Sequence, residues 1–371
     1  MTRRDILKVT AGTGLAVLTP SLFGCSTSSA SASQTVSLRV PIGPTPVNQM
    51  GQTVYGYELY IGKALSLSIS IAKIEILADG VLVKTYEGDE LSQCLIKKMD
   101  PFSSEEALFT GQDYYVLFAW PAFSLSAAIP SQFSHRVFSP DGIVAEGGSV
   151  AVQKGTTLIA PPVKGDLWCA ANGPSNFDRH HRTSIIDVSF KCTIAQRFAT
   201  DWMRFGSSGK TFSGNGKKCS YYYCWGKDLL AVANGTVVEA RDGIPEGIPP
   251  DNYAATTLQN VFGNSVILDI GDSRYAAYAH IIPGTVTVGI GETVTQGQVI
   301  GKLGSSGNSS APHLHFHLCN GRDGLTSEGV PFSFAQYDLL GSGETGGGWM
   351  PLGAPQVHTT EMPMVDQVVN L

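Results

Sequence analysis

From Val36 to about Val152 the apolar positions come in short runs of strand length, separated by turn-forming residues. "LSISIAKIEILADGVLVKTYEG" (67–88) reads as two strands across an Asp79-Gly80 turn, and "DYYVLFAWPAF" and "GSVAVQ" supply others. These runs predict a β-sandwich of immunoglobulin type over 36–154. His135 is the only histidine in it, with no titratable cluster around it, which suits a structural residue. "QKGTTLIAPPVKGD" marks a boundary, with Pro161 and Pro162 as a stiff linker. Beyond it, "LLAVANGTVVEARDG" reads as two strands around Asn234-Gly235, and "NSVILDIGDSRYAAYAHI" as a pair around Gly271-Asp272. "GTVTVGIGETVTQGQVIGKLGSSG" reads as tight turns between short strands. No stretch keeps a helical period, so 163–345 is expected to be an antiparallel β domain and 346–371 a carboxy-terminal tail.

Composition changes this picture little. The 371 residues, 43% of them hydrophobic, leave room for two ordinary domains. A net charge of −6 with 15% charged residues gives no basic stripe for phosphates, which argues against a nucleic-acid partner.

The amino terminus reads as an address. "TRRDILK", the weakly apolar run after it and "LFGC" resemble a twin-arginine export signal over 1–24, ending in a lipoprotein box with Cys25 as the lipidated residue. The uncharged run from Val9 to Gly24 contains Pro20 and falls short of the roughly 20 residues that span a bilayer. "STSSASAS" then suits a flexible tether over 25–35. The expectation is export to the cell envelope, with membrane contact through lipidated Cys25. Six cysteines remain, Cys94, Cys169, Cys192, Cys219, Cys224 and Cys319. Cys219 and Cys224 bracket "SYYY" and could close a small loop, or the thiols could be buried without bridging.

The distinctive chemistry lies in "APHLHFHLC" (311–319). On a β-strand His313, His315 and His317 share one face while Leu314, Phe316 and Leu318 share the other. The apolar face can enter a core, leaving the imidazoles to line a groove. Three histidines in register, in a chain with eight, point to a metal, for which neutral imidazole is a common ligand. The chain contains no HExxH, so a helix-borne ligand pair with a glutamate base is ruled out as the design.

Residues 278–318, "YAHIIPGTVTVGIGETVTQGQVIGKLGSSGNSSAPHLHFHL", resemble the second half of the catalytic domain of lysostaphin-like zinc endopeptidases, which cut peptide cross-links in bacterial cell walls. The shared order is tyrosine-x-histidine, glycine-punctuated turns ending "GQVIG", then proline-histidine-x-histidine. The resemblance implies an all-β chain in which the sandwich precedes an antiparallel β-sheet metallopeptidase core. It also implies His315 as a zinc ligand, with His313 and His280 as the catalytic pair beside the metal.

The family's histidine-x-glycine-x-aspartate motif falls on "RFATD", where Asp201 matches the aspartate ligand but Arg197 stands in the histidine's place. A permanently protonated guanidinium offers no lone pair to a metal. The vacancy is assigned to His181 in "FDRHHRTSIIDVSF", on a segment expected to be a neighbouring strand, with His180 as the substitute and a plain surface loop as the competing reading. The ligand set is then His181, Asp201 and His315 around Zn2+. "CSYYYCWG" and "GETGGGWM" offer groove walls or simple packing aromatics. His317 is left at the groove's edge or against substrate.

The implied function is a zinc endopeptidase acting on peptidoglycan cross-links or another glycine-containing peptide. The alternative is a catalytically inactive envelope protein of the same fold that binds peptidoglycan or regulates other wall hydrolases, as Arg197 would permit. "VGIGETVTQGQVIGKLG" also resembles biotinyl-carrier hairpins, but its turn, "TQGQ", lacks the lysine that carriers need.

Overall fold

The computed structural model describes residues 36–63, 70–99, 113–188, 191–251 and 257–371. The expected export signal, Cys25 and the tether lie outside them. The described residues are nearly all β, as the patterning predicts.

Gln34–Leu371 form one compact unit; within it the residues up to Ala151, called the first domain below, contain two four-stranded antiparallel sheets, and those from Thr157 onward are called the second domain. One runs Val36–Arg39, Tyr57–Lys63, Asp113–Ala119, Leu95–Met99; the other runs Gly142–Ala151, Gln132–Ser139, Lys73–Ala78, Val81–Glu87. Asp79 and Gly80 make the expected hairpin turn with φ of 48° and 84°, the positive pair that matches strand twist. Tyr57, Leu59 and Ile61 from one sheet meet Ile74, Ile76, Phe133 and Val137 from the other in a single core. His135 alternates into this core, where its Nε2 lies 2.9 Å from the Tyr57 hydroxyl and its Nδ1 3.1 Å from the Gly148 carbonyl.

The second domain is built on one large sheet. Side by side at its centre run Thr200–Arg204, Leu314–Cys319, Tyr275–Ile281 and Asn264–Asp269. Leu314, Phe316 and Leu318 are fully buried against Trp202, Tyr278 and Phe332, which is the apolar face the alternation predicts. Register then does the positioning: Asp201 faces His315 across one strand pair and Ala279 faces His315 across the next.

The sequence divides the chain differently from the sheet in three places. The two runs around Asn234-Gly235 pair elsewhere, Asp228–Leu230 with Val299–Lys302 and Gly235–Arg241 with Asn264–Asp269. Thr157–Ile159, beside the presumed linker, pairs in parallel with Phe332–Glu344. The segment set apart as a tail is also folded in: Gly348–Glu361 pairs with Phe332–Glu344, and Gln367–Asn370 lies between Phe332–Glu344 and Trp168–Ala171. Val368 and Val369 are completely buried there, apolar surface that a solvated tail would leave in water.

Candidate metal centre

Asp201 is buried, and four imidazoles close on its carboxylate. His315 Nδ1 lies 3.0 Å, His181 Nε2 3.4 Å and His313 Nε2 3.5 Å from Oδ1, with His180 Nε2 3.9 Å from Oδ2. The ligand atoms of His180, His181 and Asp201 all fall within 4.8 Å of one another. Asn172 Nδ2 donates to Oδ2 at 2.8 Å, which fixes the carboxylate plane. His280 packs against His313 with ring centroids 4.6 Å apart and planes tilted by 57°.

The hydrogen bonds at the far side of each ring set its tautomer. His317 Nε2–H donates to the Gly324 carbonyl (2.9 Å), so its Nδ1 accepts from His315 Nε2–H (3.0 Å), leaving the His315 Nδ1 lone pair facing Asp201. His181 Nδ1–H donates to the Asn172 carbonyl (2.8 Å) and His313 Nδ1–H to the Ala311 carbonyl (2.8 Å), which turns both Nε2 lone pairs inward. His280 Nδ1–H donates to the Ser306 carbonyl at 2.7 Å, so its Nε2 is also unprotonated. Three lone pairs and a carboxylate oxygen at one point repel unless a cation sits among them, so the donor set fits a divalent metal.

Electrostatics agree. Burial opposes charge on Asp201, but His181 and His313 outweigh it and hold the carboxyl well below its usual range. Burial would keep His181 neutral, yet the Asp201 carboxylate raises its pKa, favouring a proton or a metal cation at Nε2. His315 is pushed down to about 4, chiefly by burial. His280 falls well below the usual imidazole range through burial and the neighbouring His313 and His315. His280 also holds a φ of 66°, a left-handed conformation that costs energy in a non-glycine residue and collects at functional sites.

The structure brings together His181, Asp201, His315, His313 and His280. It departs from sequence reasoning in the "RHHR" segment and at His317. "RHHR" is a single helical turn, Arg179–Arg182, rather than a strand, because the Ser175 and Asp178 side chains accept from the following backbone N–H groups and start a turn. His317 lies at no groove edge; it is fully buried and orients His315. His358 stacks on Tyr337 and bonds Glu361, as a structural residue. Cys219 and Cys224 close no loop: Cys219 Sγ meets the Gly247 carbonyl at 3.4 Å and Cys224 Sγ the Pro312 carbonyl at 3.1 Å.

Arg197 points away from the centre into a buried ion network. Its Nε meets Glu58 Oε2 at 2.8 Å, its Nη2 meets Glu328 Oε2 at 2.7 Å, and its Nη1 donates to the Gly329 carbonyl at 2.8 Å. Glu58 belongs to the first domain and is also bound by Arg182 Nη1. Burial raises the Glu58 carboxyl, but Arg197 and Arg182 outweigh burial and lower it on balance.

The histidines open on a cleft of about 470 Å³, lined also by Phe212, Tyr222, Thr345 and Gly346. Both aromatic and glycine-rich loops singled out in the sequence therefore reach it.

Residues 220–326 match the model of peptidase family M23, a span that contains His280, His313 and His315 while His181 and Asp201 precede it. This span is therefore similar to the peptidase domain of that family. Peptidoglycan DD-endopeptidase ShyA of Vibrio cholerae serotype O1 is 31% identical over 90 residues, 24% of this chain and 20% of that protein. The chain thus matches only about a fifth of that relative's length. Similar solved structures include the catalytic domain of lysostaphin from Staphylococcus simulans, at 22% identity and a TM-score of 0.25 over 44% of this chain and 88% of that one. Pseudoalterin, an M23 metalloprotease from the deep sea, shares 14% identity at a TM-score of 0.27, covering 55% of this chain and 98% of its own.

Proposed function

We propose that this chain is a zinc-dependent endopeptidase that hydrolyses peptide bonds in peptidoglycan cross-links, with His181, Asp201 and His315 as metal ligands. The observation that carries this reading is the convergence of imidazole lone pairs on the buried Asp201 carboxylate. A zinc ion held by these residues would supply Lewis acidity to polarise a carbonyl and would make water a nucleophile at neutral pH. Asp201 and Asn172 keep the negative oxygen in place, and the His317 bond keeps His315 in its lone-pair-inward tautomer. His280 and His313 handle protons: one takes the water's proton at Nε2, and the other, protonated, donates to the developing oxyanion. The cleft beside them, with Phe212 and Tyr222 on its wall, suits an extended peptide. The match to a peptidoglycan endopeptidase supports wall peptide as the substrate class. The twin-arginine-type signal and Cys25 support export and a lipid anchor at the cell envelope.

Elemental analysis alongside digestion of purified peptidoglycan tests the reading. Wild type should carry about one equivalent of zinc and release wall fragments. His181→Ala should lose the metal, and His280→Ala should keep it but cut no bonds. A zinc-free wild type that binds wall material without cutting it overturns the proposal in favour of an inactive wall-binding or regulatory protein, the reading Arg197 at the ligand position favours.

A further inference from the structure

The segment that delivers His181 is held from the first domain at three points. Gln49 Nε2 donates to the Pro174 carbonyl at 3.1 Å, and Asn176 Nδ2 reaches Cys94 Sγ at 3.1 Å. Glu58 binds Arg182, the residue next to His181. Arg182 is 2% exposed, its Nη2 also reaches the Tyr57 and Ala119 carbonyls at 3.4 Å, and its guanidinium lies 5.2 Å from the Trp120 ring centroid. Neighbouring side chains on a helical turn point about 100° apart. One turn of backbone therefore carries His181 into the metal centre and Arg182 into the first domain. A four-residue helix has too few internal hydrogen bonds to hold a ligand in place unaided. Gly56 belongs to the same junction: a Cβ there would stand 2.4 Å from Trp120 Cζ3 and 3.0 Å from Phe198 Cε1, so Phe198 packs closely against the first domain at this point.

Arg197, at the position the resemblance assigns to a metal ligand, grips the same Glu58 carboxylate that anchors Arg182. The first domain thus meets both the vacated position and its replacement through one residue. We infer that the first domain is a working part of the metal centre, in which Glu58, acting through Arg182, is a positioning residue that sets His181 for metal binding. The inference rests on the metal-centre reading above. It assigns the amino-terminal sandwich a role in building the site, and it makes the second domain alone an incomplete metal binder.

The test uses the full chain and Zn2+ affinity by competition with a chromophoric chelator, paired with the visible spectrum of the Co2+ form, which reports ligand number and geometry. Arg182→Met and Glu58→Gln should each bind Zn2+ about 10–100-fold more weakly, with Co2+ spectra resembling that of His181→Ala, at temperatures where each variant remains folded. Arg182→Lys, which keeps a charge on Glu58, should recover part of the affinity, a rescue that a purely structural contact does not predict for the Co2+ spectrum. If Arg182→Met does not fold, Gln49→Ala replaces it; this change strands no charge and should weaken Zn2+ several-fold by releasing Pro174. Folded Arg182→Met or Gln49→Ala with wild-type affinity and spectrum overturns the inference while leaving the metal centre intact. A wild type that binds neither ion, or Asp201→Asn and His315→Ala variants that bind both normally, sinks the metal-centre reading itself.

Discussion

Removing the Arg197 guanidinium should destabilise the chain far more than removing an exposed cation. Glu58 is 1% and Arg197 3% exposed, and the guanidinium bonds two carboxylates and one carbonyl. In Arg197→Met, Glu58 keeps Arg182 as a partner, but among the described residues the Glu328 carboxylate keeps only the Ile194 N–H at 3.4 Å. Deleting one member of a buried ion pair leaves an uncompensated charge and costs about 3–5 kcal/mol. With Glu58 half-compensated and Glu328 nearly stranded, the loss should fall within that range. The control is Lys302→Met: Lys302 pairs with Asp228 at 2.7 Å, but the two side chains are 48% and 52% exposed. Solvent screening limits such a pair to about 1 kcal/mol or less. Urea unfolding followed by tryptophan fluorescence reads both. Arg197→Lys should lie between them, because an ammonium cannot reproduce the fork that reaches Glu58, Glu328 and Gly329 together. Midpoints for Arg197→Met and Lys302→Met that coincide refute the claim that this network is buried and mutually dependent.

Other outcomes follow from single contacts. Burial pushes His135 down to about 4, against backbone hydrogen bonds that raise it, so the folded state binds fewer protons than the unfolded one between about pH 4 and 6.5. Its contribution is fully present above pH 6.5 and lost as pH falls towards 4, about 3 kcal/mol in all; unfolding of wild type and His135→Asn across that window should differ in slope, and equal slopes would reject the assignment. Asn172→Gly keeps the φ of 48° but deletes the donor to Asp201 Oδ2. Zn2+ affinity by chelator competition should drop about 10–100-fold. A Cβ at Gly263 would stand 2.4 Å from the Ser306 carbonyl carbon at a φ of +62°, and the Ser306 oxygen holds His280. Gly263→Ala should therefore lower the melting temperature, with left-handed strain alone costing about 1–2 kcal/mol, and should reduce turnover more than zinc content.

What the sequence made legible was local. Alternation in "HLHFHL" predicts which side chains enter the core and which face Asp201, because strand geometry fixes that periodicity within six residues. Asp79-Gly80 announces its hairpin for the same reason. The features that were not legible depend on residues far apart in the chain. His317 repeats the period of His313 and His315, yet its partner is the Gly324 carbonyl, set by a loop conformation that no side-chain pattern marks. Strand length and apolar content made Gln367–Asn370 readable as a strand at best, but only the pairing with Trp168–Ala171, two hundred residues earlier, makes it interior.

Arg197 is the case where sequence and structure bear on each other most. From sequence it is a ligand position without a ligand, which suggests a broken site. In the fold its charge is balanced by Glu58, 139 residues upstream in a different domain, while His181 supplies an imidazole to Asp201 from the segment that Glu58 also holds. A buried guanidinium needs a carboxylate, and a displaced ligand needs an anchor; one glutamate meets both requirements. With His181 as the proposed ligand, positions 197 and 181 are coupled through Glu58, which binds both Arg197 and Arg182. Replacing Arg197 or Arg182 alone should leave a buried carboxylate short of a partner or the proposed ligand His181 unheld, rather than produce a simpler site.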